Sequence, residues 1–110
     1  MPNIHRHLFT ANSANAVGGT NSASTRVGGA SLEWQGIDEP AGANLMELQV
    51  SPDNVNWAVA EDNSGAAITA MGLVHRNVGS KSEYARLHIA QDAGGVRPYA
   101  AVLTIRKDVS

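Results

Sequence analysis

The chain has 110 residues, 43% of them apolar and 16% charged, with 11 glycines, no cysteine and a net charge of −2. This length fits one domain, and the absence of cysteine excludes disulfides, thiolate metal sites and a cysteine nucleophile and points to folding in a reducing cytosol. No basic patch with interleaved aromatics suggests a nucleic-acid partner, no apolar run reaches membrane-spanning length, and the polar start does not read as a secretory leader.

Residues 3–9, NIHRHLF, alternate only roughly, so a short strand here belongs at a sheet edge or pairs with another subunit. Residues 10–29 are dominated by Ala, Asn, Ser, Gly and Thr, with Val17 and Val27 as the bulky apolar exceptions. A free segment of this composition is disordered. The expectation is therefore an assembly, in which residues 1–29 form an extended arm held in place on a neighbouring chain. Residues 1–28 carry Arg6 and Arg26 and no acid, whereas the remainder holds six basic and ten acidic residues. Chance on small counts explains this split; a mildly basic arm meeting an acidic neighbour is the sharper reading.

From residue 30 to 110 the pattern is that of a β-sandwich domain. SLEWQGI (31–37) places Leu32, Trp34 and Gly36 on one face, a half-buried strand by its period of two. DEPAGAN (38–44) is a loop. LMELQVSPDNVNWAV (45–59) reads as a hairpin: Met46, Leu48 and Val50 face inward, Pro52-Asp53-Asn54 turns, and Trp57 and Val59 resume the apolar face. EDNSG (61–65) is a turn. AITAMGLV (67–74) favours a strand, with Gly72 marking a bulge, and HRNVGSKSE (75–83) reads as a loop. YARLHIA (84–90) is a strand with Ala85, Leu87 and Ile89 inward. QDAGG (91–95) turns, and PYAAVLTIRK (98–107) closes the chain with Tyr99, Ala101, Leu103 and Ile105 on one face. The last two strands are expected to form a hairpin. The fold class is all-β: a small antiparallel, jelly-roll-like β-sandwich of six to eight strands with an extended N-terminal arm. Its core is expected to hold Trp34, Leu48, Val50, Trp57, Leu87, Ile89, Leu103 and Ile105.

Three stretches, LQVSPDNVNWAV (48–59), YARLHIAQDAGG (84–95) and AAVLTIRK (100–107), together resemble small phage virion β-sandwich domains, as in capsid decoration (cement) proteins and head or tail accessory proteins. Such domains often show an LQxSxDGxNW hairpin and a YxRLxIxxxxGG strand and turn. Here Asn54 stands where Gly is usual, and Asn also tolerates the left-handed region. The same serine–aspartate–tryptophan hairpin occurs in galactose-binding-like modules that attach to sugars. The resemblance implies a structural protein on the outer surface of a phage head, made in the host cytoplasm. It would bridge major capsid subunits, and a homotrimer would multiply weak contacts through avidity. The alternatives are a carbohydrate-binding or adhesion module, or a tail or connector accessory protein.

Candidate sites are few. His5, Arg6, His7 and Arg26 are the residues expected to touch a partner. His5 and His7 are close enough for two ligands of a zinc ion, the third to come from His75 or His88; exposed or interfacial polar residues are the plainer reading, and no metal or cofactor is expected. Asp53, Glu61 and Asp62 lack the spacing of a calcium loop. Glu33 and Glu47, read as outward on neighbouring strands, have nothing about them to suggest a hydrolytic cleft. Ser, His and Asp are present without a nucleophile elbow. The expectation is a non-enzymatic contact domain, with nucleic acid and membrane excluded as partners and glycan retained under the alternative.

Overall fold

The computed structural model describes residues 2–41, 43–69 and 73–108. The strands are β1 (Pro2–Asn12), β2 (Thr20–Asn21), β3 (Thr25–Arg26), β4 (Ser31–Asp38), β5 (Met46–Ser51), β6 (Ala58–Val59), β7 (His75–Val78), β8 (Tyr84–Ile89) and β9 (Pro98–Asp108). They form two antiparallel sheets, and no helix occurs among the described residues. One sheet runs β1-β9-β4-β7; the other runs β2-β8-β5-β6, with β3 beside β2 along the same edge of β8. The fold is the small all-β sandwich expected, with nine strands, of which β2, β3 and β6 are two residues long.

Alternation decides what faces the core. Leu32, Trp34, Met46, Leu48, Leu87, Ile89, Leu103 and Ile105 are buried between the sheets, together with Phe9, Ile68, Val78 and Tyr99. Buried and more exposed residues alternate along 31–37 of β4, 46–50 of β5 and the whole of β8, as a sheet with one wet face requires. β9 lies between β1 and β4, and its outer face is partly covered, with Thr104 only 9% exposed.

The structure corrects four expectations. Residues 2–29 are built into the sandwich. β1 pairs with the whole length of β9, from Pro2 opposite Asp108 to Asn12 opposite Pro98. β2 and β3 pair with β8, and Phe9, Ser13 and Val27 are buried. A segment of small residues can be held this way because strand pairing uses the main chain, and such residues let backbones approach. At Gly19 a Cβ would sit 2.1 Å from the Ile89 carbonyl oxygen.

Trp57 does not join the core. β5 and β6 pair Val50 with Ala58 and Gln49 with Val59, and Ala60 N–H donates to Leu48 O at 2.9 Å. The loop between them therefore matches even-numbered residues with even-numbered ones. Trp57 falls with Gln49 and Val59 on the outer face, half-buried. The turn itself is as expected. Asn54 has φ +63°, and the Asp53 carboxylate accepts from the N–H groups of Val55 and Asn56 at 2.9 and 2.8 Å. Those bonds hold the Asp53 carboxyl well below the usual carboxylate range.

β8 and β9 do not form a hairpin; they lie in different sheets, and residues 90–97 cross between them. Residues 75–83, expected as a loop, contain β7, an edge strand on β4 in which Val78 alone is buried. In the stretch 67–74, Ala67 and Thr69 make isolated bridges and Ile68 enters the core. The expected bulge at Gly72 lies outside the described residues.

Candidate functional site

β1 is the open edge of its sheet. Its 11 residues pair with β9 on one side, and among the described residues no strand pairs on the other. Asn3, His5, His7 and Phe9 share the inner face because Phe9 is buried there. Ile4, Arg6, Leu8 and Thr10 point outward, with Ile4 43% and Leu8 56% exposed. An edge strand this long, with unpaired main-chain groups and two exposed aliphatic side chains, is a template for a further strand.

The inner face of β1 runs from the core to the rim. His7 packs edge-on against Phe9 with ring centroids 4.7 Å apart, and His5 lies 6.3 Å from His7. Burial first, and the neighbouring His5 second, push the His7 imidazole below its ordinary pKa. The other two histidines are far from this pair in the topology. His75 is on β7, the opposite edge of the same sheet, and His88 is on β8 in the other sheet. Among the described residues no group of three His, Asp or Glu side chains is placed to hold a metal ion.

Arg26, expected alongside His5, Arg6 and His7, is on β3 in the second sheet and pairs with Glu83. That pair is exposed and raises the Arg26 pKa. Glu33 and Glu47, read as neighbours, stand on different sheets, and Glu33 is held by Arg106 at 2.9 Å. Asp62 is spent on its own turn and on Arg76, at 3.1 Å.

A second surface lies on the outer face of β5 and β8. The Arg86 guanidinium sits 4.1 Å from the centroid of the Trp57 ring and donates to Gln49 Oε1 at 2.8 Å. Gln49 donates in turn to Glu47 at 2.7 Å, and His88 Nδ1 lies 2.7 Å from Asn21 Oδ1. These residues form a linked polar strip with one aromatic side chain. Removing the guanidinium in Arg86→Ala is expected to uncover the Trp57 ring. In a Trp34→Phe background Trp57 is the sole emitter, so acrylamide quenching and a red shift report it directly. Unchanged quenching would place the guanidinium elsewhere in solution. The buried Trp34 Nε1 has no acceptor among the described residues, so Phe removes an unsatisfied donor, which offsets part of the cost of the cavity that the smaller ring leaves.

Sequence reasoning missed Asp92 altogether, reading it as a turn residue. It is 1% exposed and accepts from Arg97 Nε and Nη2 at 2.7 and 2.6 Å, Tyr99 OH at 2.7 Å, and Gly94 N–H at 2.8 Å. Ser13 Oγ adds a longer contact at 3.3 Å. The Arg97 guanidinium, first among these donors, holds the Asp92 carboxyl well below the carboxylate range. Burial and the Asp92 hydrogen bond push the Tyr99 hydroxyl up to about 12. Every oxygen is engaged, so the cluster ties the crossing between the sheets together and offers no free group for chemistry.

Concavities among the described residues are open depressions of roughly 240 to 380 Å³. One of them is lined by Asp62, Ser64 and His75, and Ser64 Oγ donates to Asp62 Oδ1 at 2.7 Å. That carboxylate also accepts from the N–H groups of Ser64 and Ala66 and from Arg76, so the pair reads as turn structure and not as a nucleophile with its base. No protein-family model, curated protein or solved structure matches the chain.

Proposed function

We propose that this domain is a structural protein of a phage virion, a capsid decoration or cement protein that binds the outer surface of the head. It acts by contact and not by catalysis. The observation that carries the reading is the open β1 edge, 11 residues long with Ile4 and Leu8 exposed on its outer face. An extended segment of a capsid subunit adds to this edge, main-chain hydrogen bonds supplying affinity and the alternating side chains supplying register. Arg6, His5 and His7 put positive or protonatable groups along the edge with no acid among residues 2–12, which favours an acidic segment over a second copy of the same strand. The likeness of residues 48–59, 84–95 and 100–107 to virion domains supports the setting. A homotrimer on the head would add avidity to contacts that are individually weak.

The test is cosedimentation of the purified domain with undecorated phage heads. Ile4→Lys with Leu8→Lys places charges on the outer face while keeping the β1–β9 pairing, a device that blocks strand addition. The expected outcome is an unchanged fold by circular dichroism and loss of head binding by about tenfold or more, that is 1.4 kcal/mol or more. Full binding by this variant would remove the edge from the mechanism. Imaging the particle separates a head position from a tail or connector position.

The outward Trp57 favours a second reading, a carbohydrate-binding module, in which the Trp57–Arg86–Gln49 strip meets a sugar. It predicts saturable glycan binding that Trp57→Ala abolishes and that the β1 variant leaves intact.

A further inference from the structure

We propose that the groove between the Gly28–Gly29 turn and the end of β9 is an oxyanion site, taking a phosphate or sulfate group either free or as an ester. The groove, of about 300 Å³, is lined by residues 28–31 together with Lys81, Arg106 and Lys107. Three cationic side chains meet there; among the described residues no carboxylate lines the groove itself, and Glu33 adjoins it through Arg106. Arg26, Arg76 and Arg97 are paired with Glu83, Asp62 and Asp92, and Arg106 in the groove is itself paired with Glu33, while Arg6 and Arg86 make no such pair among the described residues. Lys81 and Lys107 have no such partner within 4.0 Å among the described residues. In a chain of net charge −2, gathering cations at one end costs repulsion that an anion relieves.

The backbone is built to admit this arrangement. Gly28 and Gly29 have φ +59° and +71°, left-handed values that disfavour a side chain. A Cβ on Gly28 would also lie 3.1 Å from Lys107 Nζ, so glycine lets the ammonium rest against the turn. The N–H groups of Gly28 and Gly29 are spent on the carbonyls of Glu83 and Ser82. Recognition therefore falls on side chains. Arg106 uses Nε and Nη2 on Glu33 and keeps Nη1 for the groove; Lys81 and Lys107 act as point charges, and the Ser31 hydroxyl is a further donor.

The experiment is a titration of ¹⁵N-labelled protein with sodium phosphate at pH 7 and constant ionic strength, read by amide chemical shifts. Saturable shifts are expected at residues 28–31, 81 and 106–107, with a dissociation constant on the order of millimolar because the site is open to solvent and screened. The variant Lys81→Met with Lys107→Met, both exposed, is expected to weaken binding about tenfold or more while leaving the spectrum of the β5–β8 region unchanged. Parallel titrations with glucose 6-phosphate and inorganic sulfate assign the ligand. Tighter binding of the ester supports a group on a larger molecule, and tighter binding of either free ion supports an inorganic oxyanion. Linear, non-saturating shifts, equal shifts with chloride, or undiminished binding by the double variant would overturn the proposal. None of these outcomes depends on whether the domain binds phage heads.

Discussion

A chain that begins after Asn12 is expected not to fold cooperatively. Deleting residues 2–12 removes the strand that covers the full length of β9 and leaves β9 as an open, largely apolar edge. It also removes Phe9, which is 1% exposed. Truncation of a buried phenylalanine to alanine alone costs about 3–5 kcal/mol, against a total stability of roughly 5–15 kcal/mol for a domain of ordinary size. The point variant Phe9→Ala is thus the graded form of the same experiment. Its urea midpoint should fall sharply, and far-UV circular dichroism of the deletion should show no cooperative transition. A folded, cooperative remainder would mean that β1 is dispensable and that the segment behaves as a separate arm after all.

That expectation reverses what the sequence suggests for residues 10–29, and the reason is physical. Composition reports side chains, and this segment is held mostly by main chain. Ser22 N–H donates to Leu87 O at 2.9 Å, Val27 N–H to Glu83 O at 2.7 Å, and Gly19 approaches the Ile89 carbonyl as only glycine can. The one strong side-chain signal, Val27 at 0% exposed, is a single residue in a run of small ones. β4, β5, β8 and β9 were legible because the buried face of each recurs at a period of two, as Leu32 and Trp34, or Leu87 and Ile89, do. β7 was not, because an edge strand needs to bury only Val78, and a single apolar residue makes no pattern.

The candidate surfaces divide in the same way. His5, Arg6 and His7 on an edge strand could be anticipated from their imperfect alternation. Arg26 could not be separated from them, because only the β3–β8 pairing shows that it belongs to the other sheet. Trp57 depended on the number of residues in a turn, where one residue more or less moves a side chain from core to solvent. The lysine groove joins residues 28–31, 81 and 106–107, which are distant in sequence, and nothing local marks them as neighbours. Asp92 is the same case for Ser13, 79 residues away; Arg97 and Tyr99 are five and seven residues on, but an Asp in a turn gives no sign that they fold back onto it.

Asp92→Asn is expected to alter the pH dependence of stability at both ends of the scale. The folded carboxyl titrates well below its unfolded value of about 3.9. As pH falls below about 4, the unfolded chain therefore takes up a proton at this site before the folded chain does, and stability declines through that window. Above it the contribution is fully present. The asparagine variant keeps the volume but leaves the Arg97 guanidinium, whose side chain is 35% exposed, without its counter-charge. It should be less stable than wild type at neutral pH, and the gap should narrow as pH falls from about 4 towards 2, because the unfolded wild-type chain takes up a proton that the folded carboxyl does not. At high pH the sign is the opposite. Tyr99 is pushed up to about 12, so the folded chain holds its phenolic proton while the unfolded chain loses it, and stability falls as pH rises from about 10 towards that value. Burial, the larger cause, survives in the variant, whereas the hydrogen bond to a carboxylate does not, so the alkaline decline should become shallower and not vanish. Urea midpoints measured from pH 2 to pH 12 for both proteins check each limb. Parallel curves, offset by a constant amount across the whole range, would show that Asp92 contributes packing alone and that its charge does not hold the crossing between the sheets.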